Sequence, residues 1–537
     1  MNPVDRKGRE GTRRKSIKGF PLRSFASFAV KIFLFWLLPN IAFADTPALF
    51  AQHCASCHGA DRLGNIGPAL LPESLERLKR YDAAKTIAQG RIATQMPAFQ
   101  DKLSGQEIQA LVDYLYAAPE KAPAWGEKEI RASRLEYFKP GSLPAKPVFS
   151  ADPLNLFVVV EGGDHHVTIL DGDKLEPVTR FASRYALHGG PKFSPDGRYV
   201  YFASRDGWVS KYDIWNLKLA AEIRVGLNTR NLAVSGDGKY VLAGNTLPHT
   251  LVLLDARDLS LVKLMPVAGS SGKTSRVSAV YDAAPRKSFI AALKDIPEVW
   301  EISYDPKAPP VFKGLVHDYK MAEGLAVPGQ FTPKVIELDG ILDDFFFDQS
   351  YDHLIGASRD GKGQVVNLNV RRKIATLDLS GMPHLGSGIT WEWQGRPVFA
   401  TPNLKSGTVS VVDMQEWKTV KHIEMAGPGF FLRSHENTPY VWADAMMSPQ
   451  RKDTLQLIDK GTLEVVKALT PEPGRTLAHV EFTRDGRYAL ASLMERDGAL
   501  IVFDAKTFEV VKRIPMSRPV GKYNVYNKTT RSAGTSH

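Results

Sequence analysis

At roughly 100–200 residues per domain, the 537-residue chain is too long for one small module; it allows two to four ordinary domains, or a small domain beside a large one. Hydrophobic residues at 43% and charged residues at 24% are ordinary globular values and exclude disordered, collagen-like and polytopic membrane classes. The net charge of +11 is concentrated in the first 44 residues, where nine Lys and Arg face two acidic residues, leaving 60 basic against 56 acidic for the rest; with no basic run or nucleic-acid motif there, nucleic acid is excluded as a partner.

Residues 1–30 are rich in Lys and Arg, residues 32–43 are apolar, and Ala42-Phe43-Ala44 ends the run with small residues at the cleavage positions. This predicts an export leader over 1–44 and a periplasmic protein. The apolar run of 12 residues, broken by Pro39, is shorter than the roughly 20 a spanning helix needs, with an uncleaved N-terminal anchor as the other reading. Arg13-Arg14 loosely resembles a twin-arginine signal, so the export route stays open.

The only cysteines, Cys54 and Cys57, stand in Cys54-Ala55-Ser56-Cys57-His58. C-x-x-C-H is the attachment signature of covalent heme c: two thiols three positions apart bond one porphyrin edge, and the adjacent His58 becomes an axial iron ligand. A thioredoxin-like redox pair would need a βαβ pattern that the flanks lack. Met96, in Gln95-Met96-Pro97, is the candidate sixth ligand, with a core methionine as the alternative. Leu103 to Leu115 predicts an amphipathic helix, capped by Ser104 and Glu107, with Ile108, Leu111, Val112 and Leu115 on one face. Residues 45–118 resemble a class I cytochrome c domain.

Residues 119–148 have the Pro-rich, mixed-charge composition of a linker. From 149 to 537 one phrase returns: Phe193-Ser-Pro-Asp-Gly-Arg-Tyr199, Val234-Ser-Gly-Asp-Gly-Lys-Tyr240 and Phe482-Thr-Arg-Asp-Gly-Arg-Tyr488, with degenerate copies near Leu154, Arg286, Phe346, Arg396 and Thr438. The count is eight units of about 40–50 residues, each a four-stranded sheet that cannot bury both faces alone. The predicted fold is a small all-α cytochrome c domain followed by an all-β eight-bladed propeller.

This pairing resembles the cytochrome cd1 nitrite reductase group, whose propeller holds heme d1. The most specific stretches are Tyr185-Ala-Leu-His188, Lys192 to Gly207, Met382-Pro-His384, Phe431-Leu-Arg-Ser-His435, Trp442-Ala-Asp444 and Gly521-Lys-Tyr523. The resemblance implies that His188 is the proximal ligand of the d1 iron and that Arg205 and Arg230 pair with its carboxylates. Arg184 and Arg276 are plausible additions, and Phe430, Phe431 and Tyr523 are candidates to pack on the macrocycle.

The reductases use two distal histidines. His384 matches one; at the place of the other the chain reads Leu338-Asp-Gly-Ile-Leu-Asp343-Asp344, and His353 is out of phase. Ser387 stands where a reductase arginine is expected. These departures resemble the dihydro-heme d1 dehydrogenase branch of the group. That resemblance implies a non-covalent dihydro-heme d1 or heme d1 beside covalent heme c, and oxidation of a propionate side chain to the acrylate. It also implies a periplasmic electron acceptor, and the nitrite reductase as recipient of heme d1. His384, His435 and His479 are the candidate bases. Nitrite reduction and non-catalytic carriage of heme d1 are the alternative functions.

Overall fold

The computed structural model describes residues 45–530, apart from 66, 76–77, 92–95, 120–122, 185 and 314–324. The leader expected over 1–44 therefore lies outside the described residues, as do Gln95 and Tyr185. Among the described residues no helix is long and apolar enough to cross a membrane.

Helices α1 (Thr46–His53), α2 (Ala55–His58), α3 (Pro72–Leu75), α4 (Arg80–Gln89) and α5 (Gly105–Tyr116) build the first part. The α5 helix starts where its cap dictates. Ser104 Oγ accepts the Glu107 N–H at 3.3 Å, and Glu107 Oε2 accepts the Ser104 N–H at 2.7 Å. Its Ile108, Leu111, Val112 and Leu115 share one face and bury against Phe50 and Ile87.

The segment expected to be a linker carries more structure than its composition suggests. Helix α6 (Glu127–Ala132) buries Ile130 completely against Ile223 and Leu261, and Leu135–Glu136 pairs with Glu222 and Ala221 at a sheet edge. Trp125 packs on the same cluster, and Trp125 and Ser133 bond the Arg224 carbonyl while Arg134 bonds Asp258, so the segment is fastened to the propeller.

Eight antiparallel sheets of four strands follow, the first widened by Leu135–Glu136. Their inner strands are Leu187–Phe193, Asn228–Val234, Val277–Ala283, Asp344–Phe347, Ile389–Trp393, Leu432–Arg433, Leu477–Phe482 and Pro519–Asn524. The last of these pairs with Leu156–Glu161, setting Tyr523 opposite Val158, so the C-terminal strand closes the ring. Middle strands such as Leu156–Glu161 and Ser288–Leu293 are buried at every residue, because neighbouring blades cover both faces. Outer strands such as Arg372–Asp378 alternate toward solvent.

The repeated phrase is turn chemistry. Gly197, Gly238 and Gly486 sit at φ of +70°, +70° and +74°, where a Cβ is disfavoured. The hydroxyls of Ser194, Ser235 and Thr483 accept the N–H of Tyr199, Tyr240 and Tyr488 at 2.9, 2.9 and 3.1 Å. This explains why each clear copy reads Ser or Thr, then Asp-Gly, then Tyr.

Inner strands of neighbouring blades are also joined by charge. Arg433 and Glu481 form a buried fork-to-fork pair at 2.6–2.7 Å, and Asn527 of α7 (Val525–Thr530) donates to Glu481 at 2.9 Å. Arg433→Met strands that carboxylate, and is expected to cost about 3–5 kcal/mol, read as a lower urea midpoint of tryptophan fluorescence.

Candidate functional site

The first cradle forms around His58. Its Nδ1 lies 2.8 Å from the Pro68 carbonyl, which can only accept, so Nδ1 carries the hydrogen and Nε2 keeps its lone pair. Burial lowers the His58 pKa against the pull of that carbonyl, which keeps the ring neutral. The ring lies flush on the backbone: a Cβ at Gly67 would come 2.5 Å from it. Cys54 ends α1 and Cys57 lies in α2, one residue before His58.

Met96 packs against the core of Phe50, Ile87 and Phe99, and its carbonyl accepts the Arg91 N–H at 3.1 Å. Gly90, at φ +71°, leaves no room for a Cβ, which would sit 2.7 Å from that carbonyl. A neutral imidazole fixed by its far nitrogen, two adjacent thiols and a thioether on a pinned backbone fit the donor set that a covalent heme c needs.

The second cradle is in the propeller. His188 lies on an inner strand with its backbone opposite Ala203, beside a register shift before Lys192; its side chain is outside what the structure describes. The Arg205 N–H bonds the Ala186 carbonyl at 3.0 Å, so His188 and Arg205 sit on neighbouring backbone. The Arg205 guanidinium makes no hydrogen bond or ion pair with any described residue. Burial, and then the charges of Arg230 and Arg91, push its pKa down to about 9. Arg230 also faces His384 and Asp343 and donates Nε to the Ser278 carbonyl at 3.1 Å. Like charges gathered without a counter-ion for Arg205 are a site for an anionic ligand, and tetrapyrrole carboxylates fit it.

Arg184 and Arg276 do not join this group. Arg184 stacks on Trp208 at 3.8 Å and is bidentate with Glu222 at 2.7–2.9 Å; Arg276 is bidentate with Asp295 at 2.6–2.9 Å. Their forks are already filled by protein carboxylates, unlike that of Arg205.

The three histidines separate as well. His384 Nδ1 bonds the Phe430 carbonyl at 3.0 Å and Ser387 Oγ at 2.8 Å, and its ring lies 4.1 Å from Phe430 and 6.3 Å from Phe431. His479 stands on the other side of Phe431, at 4.5 Å, and 5.1 Å from Tyr523. It occupies a bulge between Ala478 and Glu481 at φ +51°, and among the described residues its buried Nδ1 has no hydrogen-bond partner beyond its own backbone. Burial, with Lys522, Lys528 and Arg433 nearby, holds its pKa well below the usual imidazole value. His435 belongs elsewhere: fully buried in a turn, it packs on Gly486 of the next blade and Phe482, and accepts from Asn437 N–H at 3.1 Å. It is an inter-blade core histidine.

One contact at this site escaped the sequence reading. Tyr281 donates its hydroxyl to Asp344 at 3.0 Å, and Asp344 also accepts the N–H of Phe345 and Gly386, both at 2.9 Å. The place of the expected second histidine thus holds a carboxylate that only accepts. Asp343, beside it, pairs with Lys294 and Arg359 at 3.2 Å; burial raises its pKa, but these cations and Arg230 pull it down to about 2. Two acids breaking the apolar run up to Phe347 were the available signal.

A family model for the cytochrome D1 heme domain matches residues 151–528, and one for the cbb3-type cytochrome c oxidase subunit III matches 42–115. The chain is 56% identical over 495 residues to a dihydro-heme d1 dehydrogenase of Pseudomonas aeruginosa, covering 92% of this chain and 96% of that protein. It is 24% identical over 533 residues to a nitrite reductase of Stutzerimonas stutzeri, covering 89% and 92%. A solved structure of dihydro-heme d1 dehydrogenase NirN in complex with DHE aligns with TM-score 0.78 and 55% identity over 90% of this chain and 99% of that one. The chain belongs to the cytochrome D1 heme domain family and, within it, to the family of the dihydro-heme d1 dehydrogenases.

Proposed function

We propose that the protein oxidises a propionate side chain of dihydro-heme d1 to the acrylate of heme d1. The observation that carries this reading is the 56% identity to a dihydro-heme d1 dehydrogenase across both the cytochrome and the propeller parts. Forming the double bond removes two protons and two electrons from adjacent carbons. Heme c, when bound, would pass these two electrons outward one at a time to an external periplasmic oxidant, and the two protons leave through a base at the site and to solvent.

The chain's own residues do the rest. His188 would hold the substrate iron. Arg205 and Arg230 hold substrate carboxylates, with Arg91 contributing positive charge from the end of α4. His479 takes one of the two protons: its buried Nδ1 has no partner on another described residue and its ring is neutral, with Phe431 and Tyr523 packed against it. His384, with Nδ1 tied to a carbonyl, offers Nε2 to the distal side and is the second candidate. This ordering follows the partners of each ring rather than the family position that favoured His384.

We further read residues 1–44 as an export leader, 45–118 as the cytochrome c domain, 119–148 as the connecting segment and 149–537 as the propeller. Periplasmic location, a periplasmic electron acceptor, and delivery of heme d1 to nitrite reductase in denitrification complete the proposal. The test is anaerobic incubation of the heme c-loaded protein with dihydro-heme d1 and an oxidant, followed by mass analysis. A tetrapyrrole returned lighter by two hydrogens supports the reading; unchanged tetrapyrrole sinks it.

Nitrite turnover is expected to be at least about 10²-fold below that of a two-histidine reductase, since one general acid is missing. Asp344, accepting from Tyr281, Phe345 and Gly386, stands where the second histidine is expected. Nitrite consumption with a common electron donor checks this.

A further inference from the structure

Behind both candidate histidines lies one carboxylate, Asp444, at the end of Tyr440–Asp444 and only 4% exposed. Its Oδ1 accepts the N–H of Phe430 at 2.8 Å and of Met446 at 3.3 Å, and its Oδ2 accepts the N–H of Phe431 at 3.1 Å. The backbone N–H of His479 also stabilises its charged form. The loop passes so close that a Cβ at Gly429 would sit 2.1 Å from the Asp444 carbonyl.

The peptide joining Phe430 to Phe431 therefore has a partner at each end. His384 Nδ1 is on its carbonyl and Asp444 Oδ2 is on its N–H. A carboxylate on the N–H polarises the peptide and makes its carbonyl a stronger acceptor, which fixes the tautomer and plane of His384. One residue on, the Phe431 ring packs edge-on against His479. The same carboxylate thus fixes the peptide that holds His384, the ring beside His479 and the left-handed backbone of His479.

We propose that Asp444 is a positioning residue for the dehydrogenation, setting the orientation of His384 and His479 together through the Phe430–Phe431 peptide and the His479 backbone. The proposal rests on the reading that one of these histidines acts on bound dihydro-heme d1.

The test uses full-length, heme c-loaded Asp444→Asn and Asp444→Glu. The Asn variant keeps the volume but loses the charge and one acceptor. It is expected to bind dihydro-heme d1 within about 3-fold of wild type, while single-turnover conversion slows by about 10–100-fold, the usual cost of removing an orienting partner. The Glu variant should fall between the two.

Burial pushes the Asp444 pKa up to about 6, so the wild-type rate should fall as pH drops through that value; Lys522 is the titratable group whose charge reaches it, and His479 meets it through its backbone N–H. That limb should vanish in Asp444→Asn. A wild-type rate in Asp444→Asn, or an affinity lost in step with the rate, overturns the proposal. If the Asn variant does not accumulate, the Glu variant decides, and wild-type turnover there overturns it. Wild-type protein that converts no substrate would sink the functional reading instead. In that case the crystal structure of the Asn variant is the readout: the Phe430–Phe431 peptide should turn away from His384, and an unmoved peptide rejects the proposal.

Discussion

Replacing His479 by Ala is expected to slow conversion of bound dihydro-heme d1 by about 10²–10⁴-fold, the share usually supplied by a general base, with binding nearly unchanged. A propionate carbon is a very weak acid, so the group that accepts its proton must be neutral, desolvated and held against it. His479 meets each condition. Its Nδ1 has no partner on another described residue, burial and the charges of Lys522, Lys528 and Arg433 keep it unprotonated, and the bulge at φ +51° sets the ring edge-on to Phe431. The same cations become favourable once the proton's former electron pair begins to develop on the substrate. His384→Ala should cost less, and His435→Ala should lower stability with little effect on rate. Anaerobic single-turnover measurements with product mass separate the three. Wild-type conversion in His479→Ala would move the role to Tyr523 or a substrate carboxylate.

What the sequence made legible was local. Cys54, Cys57 and His58 lie within five residues, and their chemistry needs no distant partner. The Ser-x-Asp-Gly-x-Tyr phrase is a turn whose hydrogen bonds close within six residues, so the strands and their number followed from it. Site residues were harder because their meaning depends on partners far along the chain. Arg184 and Arg205 look alike in sequence, yet Glu222, 38 residues beyond Arg184, fills one fork and leaves the other open. His435 and His479 both lie in strand-like contexts; a two-residue bulge turns one toward Phe431, while Gly486 of the next blade receives the other. The link from Tyr281 to Asp344 spans 63 residues and two inner strands, and no local pattern announces it.

Removing Arg205 is expected to weaken tetrapyrrole binding by about 10–100-fold, the range for one lost hydrogen bond to a charged group, while leaving the ligand-free protein as stable or more stable. The two halves of this expectation share one cause. In the free protein the Arg205 guanidinium is partly buried, lacks a described partner and faces the charges of Arg230 and Arg91, so it contributes repulsion and no compensating contact. Arg205→Met removes the repulsion and keeps the alkyl packing. A carboxylate entering the pocket reverses the sign, since it meets several converging donors in a low-dielectric site. Arg184→Met serves as the opposite control: it abandons Glu222 in the protein interior, so stability should fall while affinity holds. Spectral titration with heme d1, beside thermal unfolding of each ligand-free variant, reads both quantities. An Arg205→Met protein that binds as tightly as wild type would place the substrate carboxylates elsewhere in the channel.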